Sequence, residues 1–347
     1  MMDQKRFETL CGLLGSSGRE HAVRAYILNE LRQMNLPADA VQVDRLGNII
    51  VTKKGAKPAK RRLLCSAHMD EVALMVTQIN DDGSLAFDTV GGVSAAAVIG
   101  RQVTVGKQQL PGVIGCKPVH LLSKDERKKP ADIHRLYCDI GSGSKAETEQ
   151  YVRPGDIIYF QENAQVFGDG SFRSKAIDDR FGCALLLELL EQDLPYDTVF
   201  SFVVQEEVGL RGAGVAAAAA DPDFALIFEA TTAADIPGSE GADRVCTLGG
   251  GAVISFIDGR TVYDKALYDL AVQVSEENGI PWQTKTKIAG GNDAGAIQNA
   301  GRGARVLAVS VPCRYLHAPV SVIRLSDAEA CIALAAQMLS AVQEAEL

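Results

Sequence analysis

Glu206 and Glu207 stand side by side where the apolar run TVFSFVVQ gives way to the turn-forming stretch EEVGLRGA. Adjacent carboxylates repel one another, and each resists leaving water unless it is paired or bound to a metal. A chain that sets such a pair at the end of a buried strand has a use for concentrated negative charge. Other apolar runs end in the same manner. LLCSA leads into His68-Met69-Asp70, FALIF into Glu229, and AVSVP into CRYLHAP with His317, while Asp178 and Asp179 follow SFRSKAI. The chain has five histidines, and two of them fall at these ends among acidic groups.

Imidazole and carboxylate form the ligand set of zinc, cobalt and manganese, and paired ions about 3.5–4 Å apart need a carboxylate to bridge them. Neutral His68 and His317 with ionised Asp178, Glu207 and Glu229 carry three negative charges, which two divalent ions and a bridging hydroxide bring to zero. A neutral cluster can be buried without an uncompensated charge. Glu206 is then the spare carboxylate: a general base that takes a proton from the metal-bound water and passes it to a leaving amine. The two-residue period of an extended chain aims Asp70 the same way as His68, where it would accept the second ring N–H and fix the tautomer.

The elements that must position these groups follow from pattern. MDQKRFETLCGLLG and EHAVRAYILNELRQMN carry helical spacing, with Ser16 or Ser17 as cap of the second. VQVDRLGNIIVTK and RRLLCSA read as strands, the latter apolar on both faces and therefore internal to its sheet. From about Glu71 the texture becomes short β-rich runs broken by DDG, GG and PG turns, which predicts a small inserted all-β unit over residues 71–162, with SKDERKKPADIH as a solvated loop. Beyond it, helices and strands alternate: DDRFGCALLLELLEQ, TVFSFVVQ, GVAAAAAA, FALIFEA, YDKALYDLAVQVSEEN, RVLAVSVP and a closing helix from Ser326. Residues 1–70 and 163–347 thus form one discontinuous α/β domain with a largely parallel sheet, whose strand C-terminal ends collect functional groups.

Composition excludes other classes. The net charge of −9 comes without a basic run able to track a phosphate backbone, so nucleic acid is not a partner. The N-terminal stretch has charges where a signal peptide needs an apolar centre, and no run reaches the ~18 uninterrupted apolar residues of a membrane span. A cytoplasmic address is expected. The eight cysteines are scattered, without CxxC spacing, and read as reduced core residues.

In order along the chain, RLGNII, SAHMDEVALMV, SKAIDDRFG, VVQEEVGLRGA, FEATTAADIPG, AGGNDAGAIQ and RYLHAP resemble metallopeptidase family 42, the tetrahedral and glutamyl aminopeptidases. The resemblance runs from about residue 10 to about residue 325. It implies a mixed sheet sandwiched by helices, interrupted by a barrel-like domain that builds dimers into a hollow homo-oligomeric dodecamer, acting on short peptides. It also implies that Asp178 bridges two ions, zinc or cobalt with manganese as a third choice. His68 and Glu229 complete one site, Glu207 and His317 the other, with Glu206 as base and Asp70 orienting His68. At Glu229 many members carry aspartate, so the carboxylate here reaches one methylene further.

Other groups have competing readings. Asp293 is either a contact for the substrate amine or a helix cap; Asp235, six residues beyond the strand end, is a rival to Glu229 as ligand and the less favoured of the two; Arg244 or Arg260 either favours an acidic side chain in a specificity pocket or, the preferred reading, is solvent-exposed; His21, His120 and His134 read as structural or surface residues. Two other functions fit the same residues less well: a related metal-dependent amidohydrolase such as a deacetylase or carboxypeptidase, and a non-catalytic scaffold. A glycosidase would need two carboxylates free of metal.

Overall fold

Every side chain of Leu63–His68 is buried, which requires a strand with neighbours on both edges and cover on both faces. The computed structural model describes residues 2–347 and supplies both. The sheet runs Val41–Val43, Ile49–Lys53, Thr198–Val203, Leu63–His68, Phe224–Thr232, Arg305–Cys313, Ala252–Ile254 and Trp282–Thr284. Its middle four strands are mutually parallel, while Ile49–Lys53 and Ala252–Ile254 join them antiparallel. The sheet is therefore mixed and parallel at its centre.

Two groups of helices pack on it. Ile177–Glu191, nearly all buried, lies on the strands Leu63–His68 and Phe224–Thr232 and joins Gln4–Gly12 and the closing helix Leu325–Glu344. The alanine-rich Arg211–Ala220 packs with the short Ala294–Ile297. Small side chains let that second pair approach closely. Leu325–Glu344 is long and apolar enough to cross a membrane, but Leu334, Ala335, Met338, Leu339 and Val342 are spent against the sheet, the pattern of a core helix. All eight cysteines are free and seven are buried.

Between Ala73 and Phe160 a closed barrel forms in the order Ala73–Ile79, Leu85–Val90, Tyr137–Asp139, Leu110–Gly115, Gln102–Val105, Ile157–Phe160, the last strand pairing back with the first. Leu74, Val76, Leu85, Phe87, Val103, Val105, Ile114 and Ile158 fill it as a core of its own. Closure leaves the barrel without a free edge. The polar stretch 123–135 is exposed and coils into single 3-10 turns.

Three expectations need correction. Neither Ser16 nor Ser17 caps the second helix, which starts at His21 after Glu20; both hydroxyls turn inward, Ser17 to Asp70 and Ser16 to within 3.5 Å of the Tyr159 hydroxyl. A three-stranded sheet of Gln165–Phe167, Ser171–Ser174 and Ser321–Arg324 lies where the patterns predict none. Ala252–Ile254 and Trp282–Thr284 also extend the main sheet unannounced, each a strand of three residues.

Candidate metal centre

Strand register brings the first candidate ligands level. Val203 pairs with His68 and Ile227 with Ser66, so Glu229, two residues beyond Ile227, stands at the height of His68 and beside Ser310. The strand Phe224–Thr232 continues past Glu229, which therefore projects from within the strand and not from its end.

Beyond Val203 the chain bends at Gln205, whose φ of 58° lies in the left-handed region. Residues other than glycine occupy that region at a cost of about 1–2 kcal/mol. Asp70, fully buried, holds the bend: its carboxylate accepts the N–H of Glu206 at 2.9 Å, the N–H of Glu207 at 3.2 Å and the Ser17 hydroxyl at 2.5 Å. His68 Nδ1 lies 3.1 Å from the Asp70 main-chain oxygen and 3.5 Å from its carboxylate. The ring contact thus goes first to the carbonyl, while the carboxylate serves the two glutamates.

Asp178 and Asp179 divide their labour. Asp178 has φ −83° and ψ 111°, outside the helical region, and the bond between the two is cis. Asp179 accepts the N–H groups of Gly182 at 2.8 Å and His68 at 3.1 Å, so the capping work falls to Asp179. Asp178 is left free to face the cluster. Its Oδ1 lies 3.3 Å from His68 Nε2 and its Oδ2 3.4 Å from His317 Nε2. His317 Nε2 is also 3.4 Å from Glu207, and Glu206 stands 4.0 Å from His68 Nε2. One ligand atom from each of His68, Asp178 and Glu207 falls within 4.8 Å of the others. Glu229 shares a cavity with His68, Asp178, Glu206 and His317.

The electrostatics are those of acids crowded out of water. Burial pushes the Glu206 carboxyl up to about 8, with Asp293 and Asp178 reinforcing it against the pull of His68. Burial likewise raises Glu207 and Glu229 well above the usual carboxylate range. For Asp178 burial acts upward too, but the contacts with His317 and His68 outweigh it and the net shift is downward. Burial pulls the His317 imidazole down, yet Asp178 and Glu207 carry it to about 9, and His68 is raised in the same way by Asp178 and Asp70. A divalent cation would supply the positive charge that these desolvated carboxylates demand, and both histidines present a ring nitrogen to the cluster. The residues present fit a metal centre.

The remaining residues separate clearly. Asp235 is bound by both arms of Arg314 at 2.7 Å and accepts the Leu248 N–H, so its oxygens are engaged elsewhere than in the cluster. Arg244 donates to the Ser239 carbonyl on the surface, and Arg260 is exposed. His21, His120 and His134 are exposed. Asp293 precedes Ala294–Ile297 without a side-chain cap bond; it is buried, its Oδ1 has no partner, and burial pushes it up to about 7.

Two features escaped sequence reasoning. Glu71 accepts from Lys175 at 2.8 and 2.9 Å, from Arg180 at 3.3 Å and from the Gly15 N–H at 3.1 Å, all in the interior. This bolt joins the segment carrying His68 and Asp70 to the one carrying Asp178. Lys285 and Asp258 line the cavity beside the cluster. For Lys285 the only signal is alternation in TKTK, which sends one lysine inward and the next, Lys287, outward.

The family model for the M42 glutamyl aminopeptidases matches residues 47–334. The lysyl aminopeptidase of Pyrococcus furiosus is 32% identical, with 98% of this chain and 97% of that protein covered. The glutamyl aminopeptidase of Lactococcus lactis is 30% identical, with 93% and 91% covered. Among solved structures, the TET1 peptidase of Pyrococcus horikoshii, which assembles into a tetrahedron or a large octahedral shell, superposes with a TM-score of 0.83 at 33% identity, covering 96% of this chain and 98% of that one.

Proposed function

The chain belongs to the M42 glutamyl aminopeptidase family, and from that premise we propose that it removes N-terminal residues from short peptides as a two-metal enzyme. The observation that carries the reading is Asp178, whose two carboxylate oxygens face two different histidines at 3.3 and 3.4 Å. His68 and Glu229 would hold one ion, Glu207 and His317 the other, and Asp178 both. Zinc or cobalt suits these donors best, then manganese. When bound, the ions supply Lewis acidity toward the scissile carbonyl and lower the pKa of a water.

The chain's own groups do the rest. Glu206 takes a proton on its carboxylate from the attacking water and returns it to the leaving amine. Burial suits it to that work, because a carboxylate held above its usual range is a stronger base. Asp70 fixes the angle between Glu206 and Glu207 through their two N–H groups, keeping base and ligand apart. The names of the lysyl and glutamyl relatives leave the preferred first residue to this chain's own pocket.

In the same reading residues 1–70 and 163–347 are the catalytic domain, and residues 71–162 the inserted domain through which copies assemble. The shells formed by the TET1 peptidase support a homo-oligomer, with a dodecamer as its expected size. Eight unpaired cysteines suit a reducing, cytoplasmic setting.

The test is mass-spectrometric cleavage of a mixed library of free and N-acetylated peptides by protein stripped of metal and refilled with zinc, cobalt or manganese. Stepwise, metal-dependent loss of residues from free termini is expected. Intact free termini under every metal would overturn the reading.

A further inference from the structure

Among the described residues the Glu206 carboxylate accepts no hydrogen bond, and His68 Nε2, at 4.0 Å, is out of reach. Its aim is therefore set by the main chain that carries it. Four consecutive N–H groups of that chain are each taken by a side chain from far earlier in the sequence: Val204 by Asn48 Oδ1 at 2.9 Å, Gln205 by Glu20 Oε1 at 3.2 Å, and Glu206 and Glu207 by Asp70 at 2.9 and 3.2 Å. Past Val203 the chain has left the ladder of the sheet, and buried N–H groups must find acceptors elsewhere. All three acceptors are buried, Asn48 and Asp70 completely.

Asn48 closes the turn from both ends. While its Oδ1 accepts from Val204, its Nδ2 donates to the Gly212 carbonyl at 3.0 Å, and the Gly212 N–H returns to the Val204 carbonyl at 3.0 Å. Asp44 aims the amide: Oδ2 takes Nδ2 at 2.6 Å, and Oδ1 takes the N–H groups of Leu46, Gly47 and Asn48. Glu20 stands just before the helix His21–Gln33 yet makes no capping bond to it. Its Oε1 accepts the Gly18 N–H at 2.7 Å and reaches across to Gln205, the residue at φ 58°. Two segments remote in sequence thus each commit a buried polar side chain to the turn that bears Glu206.

We propose that Glu20 and Asn48 are positioning residues for Glu206, fixing through Gln205 and Val204 the direction from which its carboxylate meets the attacking water. The proposal rests on the aminopeptidase reading, in which Glu206 is the base. A proton acceptor must be held within about 0.5 Å of its productive place, and a displacement of about 1 Å costs on the order of 100-fold in rate.

The experiment measures kcat, KM and bound metal for metal-loaded wild type, Glu20→Ala, Glu20→Gln and Asn48→Ala on fluorogenic amides of glutamate, alanine and lysine, and repeats both alanine variants in a Glu206→Gln background. Each alanine variant should lose about 10- to 100-fold in kcat, with KM and metal content at the wild-type level. Glu20→Gln keeps the acceptor oxygen and should restore kcat. In the Glu206→Gln background neither alanine substitution should cost more, because a group that acts through Glu206 has nothing left to aim. An unchanged kcat, equal losses in both backgrounds, or a Glu20→Gln enzyme as slow as Glu20→Ala would overturn the proposal. So would metal lost along with turnover, which would mean that the turn serves Glu207 instead. Should Glu20→Ala fail to fold, Glu20→Asp withdraws the acceptor by one methylene and is judged by the same comparison. Wild type that cleaves no amide under any metal would bring down the aminopeptidase reading, and the proposal with it.

Discussion

Glu71→Gln tests how the centre is held together. The substitution keeps shape and one acceptor but removes the negative charge that, among the described residues, pairs with both Lys175 and Arg180, which are 1% and 0% exposed. Arg180 retains the carbonyls of Met69, Leu10, Leu13 and Gly15, whereas Lys175 retains only that of Leu13. Most of the cost therefore falls on Lys175. Removing one partner of a buried pair costs about 3–5 kcal/mol, a large part of a typical total of about 5–15 kcal/mol. Urea unfolding followed by the single tryptophan, Trp282, measures it. The loss should also depend on pH. Burial already holds the Lys175 ammonium below its ordinary value of 10.5, despite the pull of Glu71, and the variant lowers it further. A folded state that binds fewer protons than the unfolded chain gains stability as pH rises, so the deficit should shrink as pH climbs toward 10.5. A deficit below about 1 kcal/mol at neutral pH would refute the reasoning, since that is the range of an exposed pair. So would a deficit that does not change with pH.

Three further outcomes are expected. Glu206→Gln should lower turnover by about 10²- to 10⁴-fold while bound metal, measured by elemental mass spectrometry, stays at the wild-type level; joint loss of both would make Glu206 a ligand. Asp70→Ala strips the acceptor from three donors and should weaken metal retention about 10- to 100-fold in chelator competition. Gly182→Ala would place a Cβ 2.4 Å from the Phe228 carbonyl and 2.5 Å from the Asp179 carboxylate, so a loss of about 1–3 kcal/mol should appear as a lower Tm.

What the sequence made legible follows physical lines. Ile177–Glu191 and Leu63–His68 were readable because burial writes itself as long apolar periods and unbroken apolar runs. Most of the cluster was readable as a group because functional side chains gather at the C-terminal ends of parallel strands; Glu229, which projects from within its strand, stood out only as a carboxylate in an apolar run. Strands such as SFRS and SVIR were not, being too short and polar to carry a period. Nor could composition separate Asp178 from Asp179, or Lys285 from Lys287. In each pair the types are identical and the backbone alone decides which side chain faces the cluster and its cavity. Ser17 failed for a related reason: its hydroxyl had a distant carboxylate to satisfy, and local capping rules see only the next three residues.

The unannounced three-stranded sheet bears on the order in which the molecule is made. Ser174 pairs with Ser321, just before Asp178 and just after His317. Early and late portions of the chain must therefore meet for Asp178 and His317 to face one another at 3.4 Å. On the ribosome, a nascent chain that has exposed His68, Asp178 and both glutamates still lacks the means to close the centre. In the proposed two-metal reading, the half of the centre that needs His317 is therefore the last to form as the chain folds.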